Sequence, residues 1–260
     1  MITSNHNPKI QAVHKLQSQV KRRREEQAFV IEGVRLAEEA LRAGWIARQV
    51  LYTETLDERG KVVVDSFSAA GVNAEQVSEA VMEAVSETET PQGLLVVLAM
   101  RTLHLPHDPN FLLTLDGVRD PGNLGTILRT AAAVGVQAVL VAPGCADTWS
   151  PKVVRAGMGA HFRLPIHNLG WMEIKQILKE SDKRLKVYLA DSSAGIPYTN
   201  ADFRSPMALI VGGEATGAGS ESASLADEKV HIPMPGGSES LNAGIAASIL
   251  LFEAIRQRGK

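Results

Sequence analysis

The second half of the chain alternates short apolar runs with segments of helical pattern. The apolar runs cover residues 111–115, 138–142, 187–190 and 208–211. None of them shows the polar alternation of a half-exposed strand, which indicates strands buried on both faces. Because helical segments separate these strands, the sequence predicts an α/β fold with a mostly parallel sheet and helices on both faces.

The first hundred residues repeat this alternation on a smaller scale. A polar helix is predicted over residues 8–26, a strand over 28–33, a helix over 34–43 and a closing buried strand over 94–98. Together they predict a small α/β/α domain over residues 1–100. Residues 101–110 hold two prolines and two histidines without periodicity, so they are predicted to be a linker to a second domain over residues 111–260. Since His104 and His107 lack a third ligand, we expect no metal site there.

Composition excludes several classes of protein. The single cysteine, Cys145, excludes a disulfide framework and a multi-cysteine metal site. With 27 basic and 29 acidic residues the chain is not wholly basic, although this balance does not exclude a local basic patch. The sequence has no apolar signal core and no run that approaches a membrane span, so we expect a cytoplasmic protein without a membrane partner. The P-loop, G-x-S-x-G and H-E-x-x-H patterns are absent from the sequence, which disfavours P-loop nucleotidases, hydrolases and zinc enzymes.

A run of four basic residues, Lys21-Arg22-Arg23-Arg24, follows the first helical pattern. Such a run is either a solvated surface or a site of contact with phosphates. Because four basic residues are consecutive in a chain of nearly balanced charge, we treat contact with phosphates as the hypothesis to test.

Three glycine-containing loops follow predicted strands, over residues 120–129, 212–217 and 232–242. Ligands of open parallel sheets bind beyond the carboxyl ends of the strands, so these loops predict one small-molecule site. Arg129 is either half of a surface ion pair or a phosphate ligand. Asn123 is a turn residue or orients a neighbour, and Glu214 is a cap, an ion-pair partner or a functional carboxylate.

The last thirty residues form a short strand, a proline- and glycine-containing loop and a strongly apolar helix. The helix is predicted to begin at Ser240, whose hydroxyl can cap its first turn. Alanine, serine and glycine on this helix would let another backbone approach closely. The helix therefore either packs within the core or pairs with a second copy of itself.

These loops also carry a family resemblance, in three motifs over residues 123–131, 209–214 and 232–242. They read Asn-Leu-Gly-Thr-Ile-Leu-Arg-Thr-Ala, Leu-Ile-Val-Gly-Gly-Glu, and Ile-Pro-Met through Ser-Leu-Asn. In this order and at these positions they resemble the SpoU (TrmH) family of RNA ribose 2′-O-methyltransferases, within the SPOUT superfamily. The segments at residues 29–33 and 90–93 are similar to the RNA-binding domain of that family, which has a ribosomal-protein-L30e-like fold.

The resemblance implies a SPOUT-type parallel sheet with a deep trefoil knot, a homodimer formed through the knotted domain, and S-adenosylmethionine as cofactor. The residues that it assigns to cofactor binding are Gly212, Gly213, Ile232, Met234, Ser240, Leu241 and Asp191. Those that it assigns to catalysis are Arg129, Asn123, Glu214 and Asn242, with Arg129 expected to activate the ribose hydroxyl and to reach the site of the partner subunit. The predicted RNA contacts are Lys21, Arg22, Arg23, Arg24 and Arg129.

We therefore expect methylation of a ribose 2′-hydroxyl in RNA, with 23S ribosomal RNA as the expected substrate. Transfer RNA as substrate, and a non-catalytic RNA-binding or ribosome-assembly protein on the same fold, are the alternatives. A dinucleotide-dependent oxidoreductase is disfavoured because no G-x-G-x-x-G follows the first strand. The chain departs from the usual family pattern at five positions: Gly157, Ala215, Ala218, Ala243 and Gly244.

Overall fold

The computed structural model describes residues 1–180, 184–214 and 217–259. Ala215 lies outside the described residues. The helices are α1 (Pro8–Ser18), α2 (Val20–Glu26), α3 (Val34–Arg42), α4 (Glu58–Ala69), α5 (Glu79–Val85), α6 (Pro121–Ala133), α7 (Pro151–Gly157), α8 (Trp171–Lys179), α9 (Ser220–Leu225) and α10 (Ala243–Arg258). The strands are β1 (Ala28–Glu32), β2 (Ala47–Tyr52), β3 (Asn73–Gln76), β4 (Leu94–Ala99), β5 (Phe111–Asp116), β6 (Ala138–Val141), β7 (Ile166–Asn168), β8 (Lys186–Ala190), β9 (Ile196–Pro197), β10 (Met207–Gly212) and β11 (Glu228–His231).

The chain forms two compact units, and the first contains a segment from later in the sequence. It comprises Met1–Arg101 together with Asp147–Phe162, and the second comprises Thr102–Ala146 and Arg163–Lys260. The sequence prediction placed residues 147–162 wholly in the second domain. Local patterns could not reveal this position, because the apolar face of α7 would fit the core of either unit.

The first unit has a four-stranded mixed sheet in the order β1-β4-β2-β3. Side chains alternate along β1, so that Phe29 and Ile31 enter one apolar cluster and Ala28 and Val30 enter the other. α3 and α4 contribute to the first cluster, and α1 and α5 to the second. The helix predicted over residues 8–26 is in fact two helices, because Gln19 adopts an extended conformation between α1 and α2.

Aromatic residues of the later segment complete the core of the first unit. The rings of Trp149 and Phe29 lie 4.8 Å apart, and those of Phe162 and Trp45 lie 5.4 Å apart. The indole N–H of Trp45 also donates to the main-chain oxygen of Phe162 at 3.3 Å. Buried aromatic pairs contribute strongly to packing, so this segment is part of the structure of the first unit.

The second unit has a parallel seven-stranded sheet in the order β7-β6-β5-β10-β8-β11-β9. The four apolar runs of the sequence are β5, β6, β8 and β10 at its centre, so the predicted α/β fold is confirmed. Leu112 and Ile210 pack in one apolar cluster with Ile174 and Leu178 of α8. α10 packs against α6 and β10. Within the described residues, the structure has no helix both long enough and apolar enough to cross a membrane.

Two helices of the second unit begin elsewhere than predicted. α6 begins at Pro121 rather than near residue 126, because Asp120 accepts a hydrogen bond from the N–H of Asn123 at 2.7 Å and proline follows at the first helical position. α10 begins after Asn242 rather than after Ser240. The side chain of Asn242 caps it by accepting from the N–H of Ile245 at 3.2 Å.

Candidate active site

A cavity of about 690 Å³ opens in the second unit, where β8, β10 and β11 end. This volume falls within the range of about 300–1,000 Å³ that is common for small-molecule sites. Ala246 and Leu250 of α10 supply part of an apolar wall. All seven residues predicted to bind a cofactor line the cavity: Asp191, Gly212, Gly213, Ile232, Met234, Ser240 and Leu241. The carboxyl ends of three strands and the start of α10 thus meet at the cavity, as the loops over residues 212–217 and 232–242 predicted, whereas residues 120–129 of the remaining predicted loop do not line it.

A chain of hydrogen bonds joins one polar residue from each of the three motifs. The side-chain amide of Asn242 donates to Oδ1 of Asn123 at 2.8 Å, and Nδ2 of Asn123 donates to Oε1 of Glu214 at 2.5 Å. Asn242 and Glu214 also line the cavity. Since Oδ1 of Asn242 is held by the first turn of α10, its NH₂ group is directed at Asn123. The structure therefore brings together three of the four predicted catalytic residues.

Glycines permit the close approach that this network needs. A Cβ atom on Gly213 would lie 2.0 Å from the main-chain oxygen of Gly117, so no larger residue fits where the chain leaving β10 runs beside the chain leaving β5. A Cβ atom on Gly244 would lie 3.2 Å from Oδ1 of Asn242 and 3.5 Å from Oδ1 of Asn123. Gly244, one of the departures from the family pattern, therefore leaves the two amides uncrowded.

Arg129 lies apart from this network. It is exposed on α6, six residues after Asn123, which on a helix of 3.6 residues per turn places the two side chains about 120° apart. The face of α6 toward α10 carries Thr130, whose hydroxyl lies 3.1 Å from that of Ser248. Among the described residues the side chain of Arg129 makes no hydrogen bond or ion pair. One copy of the chain does not bring Arg129 together with the other three predicted catalytic residues.

Asp191 supplies a permanent negative charge at the cavity. Burial raises its pKa, but hydrogen bonds from the N–H and hydroxyl of Ser193, at 2.9 and 2.8 Å, and an ion pair with Lys229 at 3.0 Å outweigh burial and lower the pKa to about 2. Sequence reasoning missed Lys229, Ser193 and His231, which also line the cavity. Lys229 and His231 alternate with buried Val230 on β11, which is the signal that could have located them.

The basic run does not form one charged surface. Arg23 is 3% exposed and donates to Oδ2 of Asp147 through Nε at 2.7 Å and Nη2 at 2.5 Å. Its Nη1 donates to the main-chain oxygens of Leu16 and Gln17 at 2.5 and 2.7 Å. The structure thus contradicts Arg23 as an RNA contact, because its donors are used inside the first unit.

The other three basic residues of the run lie outside the core. Arg22 pairs with Glu25 and Glu26 at 3.2 and 2.8 Å, and Lys21 lies 3.8 Å from Glu25. Arg24 is exposed. Part of the positive charge of the run is therefore offset by acidic residues on its own helix.

Comparison with known proteins gives matches along almost the whole chain. A family model described as the SpoU rRNA Methylase family matches residues 110–252, and one described as an MRM3-like substrate binding domain matches residues 7–96. The chain is 35% identical to the 23S rRNA (guanosine(2553)-2′-O)-methyltransferase RlmP of Bacillus subtilis, over 96% of this chain and 97% of the relative. It is 33% identical to the human mitochondrial rRNA methyltransferase 3, over 89% and 68% of the two chains. Among solved structures, the AdoMet-bound rRNA methyltransferase of Sinorhizobium meliloti matches with a TM-score of 0.86 at 31% identity, over 98% of this chain and 97% of the other.

Proposed function

Because the chain belongs to the SpoU rRNA Methylase family, we propose that it transfers a methyl group from S-adenosylmethionine to a ribose 2′-hydroxyl of ribosomal RNA. The expected RNA is 23S, the substrate that the Bacillus subtilis relative is named for. One observation carries the proposal: the cavity lined by all seven predicted cofactor residues also contains Glu214 and Asn242 of the hydrogen-bonded network.

The cavity has the chemistry that S-adenosylmethionine needs. When bound, the cofactor supplies an electrophilic methyl group on a positively charged sulfur. The carboxylate of Glu214 at the cavity complements that positive charge, while Asp191 is paired with Lys229. Gly212 and Gly213 bring the main chain to the wall of the cavity with no side chain in between, and Ile232, Met234 and Leu241 offer apolar contacts to the rest of the molecule.

The network acts through position. Holding a hydroxyl in line with the methyl group can lower a barrier by about 7–11 kcal/mol when the geometry is near attack. In our proposal Asn242 and Asn123 hold the carboxylate of Glu214 at a fixed place beside the cavity, and that group orients the incoming ribose. Because a guanidinium has hydrogen-bond donors and no acceptor, Arg129 acts by binding the RNA phosphate and the hydroxyl oxygen rather than by taking the proton.

A homodimer would bring Arg129 to the network that it does not reach within one chain. Ile245 and Phe252 are 53% and 57% exposed and lie seven residues apart on one stripe of α10. An exposed apolar stripe beside a site favours association, and most such assemblies are two-fold symmetric. We therefore include in the proposal a dimer through α10, with the partner's Arg129 completing the site. The trefoil knot, the RNA-binding role of the first unit and the cytoplasmic location stay predictions.

The test is transfer of tritium from labelled S-adenosylmethionine to unmodified ribosomal RNA. We expect label in alkali-resistant dinucleotides with the unaltered protein and none with Arg129→Ala. Arg204→Ala is the matched control, since Arg204 is also an exposed arginine of the second unit, but its side chain pairs with Asp202 shortly before β10. Label in transfer RNA instead would change the substrate, and failure to bind the cofactor would favour the non-catalytic RNA-binding alternative.

A further inference from the structure

Asp116, the last residue of β5, contacts the chain on both sides of Glu214. Its main-chain oxygen accepts from the N–H of Gly213 at 2.8 Å. Its carboxylate oxygen Oδ2 accepts from the N–H of Gly219 at 2.6 Å and from the hydroxyl of Ser222 at 2.7 Å. One residue therefore holds the chain immediately before Glu214 and again five residues after it.

The carboxylate of Asp116 is largely shielded from water, so water can hardly replace these two donors. Asp116 is 9% exposed and Ser222 is fully buried. A buried carboxylate without hydrogen bonds is costly, which makes the geometry of its donors tightly constrained. Because one donor is a main-chain N–H, satisfying the carboxylate also fixes the backbone at Gly219.

The chain before Glu214 is equally constrained. Gly213 lies so close to Gly117 that a Cβ atom would overlap its main-chain oxygen, and Gly117 follows Asp116 with a left-handed φ of +66°. An isolated bridge between Gly213 and Gly217 adds a second tie across the turn. The position of Glu214 therefore depends on the end of β5 as well as on its own strand.

We propose that Asp116 is a positioning residue for methyl transfer, which holds both ends of the turn that carries Glu214 beside the cofactor cavity. The inference rests on the proposed function for its effect on activity, but not for its effect on the turn itself. Gly213, Gly217 and Ala218 line the cavity, and Glu214 is bonded to Asn123, so a shift of the turn would disturb the cavity wall and the network together. Displacements of about 1 Å can lower catalytic rates about 100-fold.

The experiment compares Asp116→Asn with Asp227→Asn. Asp227 is a carboxylate of the same unit that likewise accepts from one main-chain N–H, that of Val187 at 2.9 Å, and from one side chain, that of Lys179 at 2.8 Å. It precedes β11, is exposed and does not line the cavity, so it shares with Asp116 one main-chain donor and one side-chain donor but neither its burial nor its place. In Asp116→Asn a neutral amide oxygen replaces the charged Oδ2, so the hydrogen bonds from Gly219 and Ser222 lose their charge assistance and are weakened without a change in size.

Three quantities are measured on each full-length variant, well below its melting temperature. They are amide hydrogen exchange of peptides covering residues 212–222, the Kd of S-adenosylmethionine by calorimetry, and kcat for RNA at saturating cofactor. We expect Asp116→Asn to speed exchange in these peptides, to raise the Kd about tenfold and to lower kcat by tenfold or more. Asp227→Asn should stay within about twofold of the unaltered protein in all three quantities, even if its melting temperature falls as much as that of Asp116→Asn.

A smaller perturbation keeps the test decisive if Asp116→Asn does not fold. Ser222→Ala removes only the hydroxyl donor and leaves Gly219 bonded, so we expect the same changes at about threefold. Loss of stability in Asp116→Asn or Ser222→Ala with unaltered exchange, Kd and kcat would overturn the inference and leave Asp116 a merely structural residue. If the unaltered protein binds no cofactor, the proposed function fails, and hydrogen exchange alone still decides whether Asp116 holds the turn.

Discussion

The two units use hydrogen-bonded polar side chains for different ends. In the first unit, Arg23, Asp147 and His161 lie in or beside the core and help to hold residues 147–162 in place. In the second unit, Asn123, Glu214 and Asn242 are bonded to one another beside a cavity, across 91 and 119 positions of sequence. In the first unit, α2 directs adjacent basic residues to different environments, so that Arg23 is buried and Arg24 is exposed. In the second unit, the sheet brings together polar residues that are distant in sequence. Changes in the first group should therefore alter stability, and changes in the second should alter activity.

The largest expected effect is on the stability of Arg23→Ala. Removing the guanidinium leaves the largely buried carboxylate of Asp147 without its cation, and breaking a buried pair in this way costs about 3–5 kcal/mol in the free energy of unfolding. Urea unfolding should show this loss, whereas Arg24→Ala, in the same run but exposed, should change stability by less than about 0.5 kcal/mol. Adding Asp147→Ala should recover part of the loss, because the unpaired charge is then gone. Equal losses of unfolding free energy in Arg23→Ala and Arg24→Ala would contradict the structural role assigned to Arg23.

A second effect concerns acid and the buried His161. Burial lowers the pKa of His161 to about 4, while a hydrogen bond between Nε2 and the main-chain oxygen of Thr148 at 2.7 Å partly opposes this. Between pH 6.5 and about 4 the unfolded chain binds a proton that the folded chain does not, so stability falls as the pH falls through this window. The expected contribution is about 3 kcal/mol. Unfolding measured against pH should show a shallower slope in His161→Gln, and an unchanged slope would assign the acid sensitivity to other groups.

The third effect tests the network of the second unit. Glu214→Ala removes the acceptor that holds Asn123, so we expect kcat/KM to fall about 100-fold with little change in melting temperature. Glu214→Gln keeps an acceptor for Asn123 and should recover part of the activity. Glu180→Ala, an exposed carboxylate at the end of α8, serves as the control and should act like the unaltered protein. A loss of stability as large as that of Arg23→Ala would mean that the network serves packing after all.

The smallest effect concerns the exposed part of the basic run. If Lys21 and Arg24 contact RNA phosphates, replacing either by alanine should weaken binding a few-fold and reduce the slope of log affinity against log salt by about 0.7–0.9. Lys61→Ala is the control, since Lys61 is an exposed lysine of the same unit that pairs with Glu58. Unchanged slopes for Lys21→Ala and Arg24→Ala would leave the whole run a structural and solvated feature.

The seven residues predicted to bind a cofactor show how much of a site the motifs can locate. Each of the seven stands at or just beyond the carboxyl end of a strand of the second unit, or in the loop that enters α10, and a parallel sheet directs those ends to one edge. Their convergence thus follows from the order of strands and helices, and the apolar runs allow that order to be predicted. Arg129 belongs to the same motif as Asn123. Six residues along α6 nevertheless give the two side chains different directions, and the motif alone does not state those directions.

The sequence by itself determined the central strands of the second unit, because continuous apolar runs of four or five residues that alternate with helical segments are typical of strands buried on both faces. The start of α6 is also encoded locally, by Asp120 and Pro121, although the sequence prediction did not use this signal and placed the start near residue 126. Only the tertiary structure decided that Arg23 points inward, that residues 147–162 join the first unit, and that Asp116 ties the turn of Glu214. The reason is physical: each of these outcomes depends on a partner far away in the sequence, and local propensity contains no information about which distant group will satisfy a buried charge.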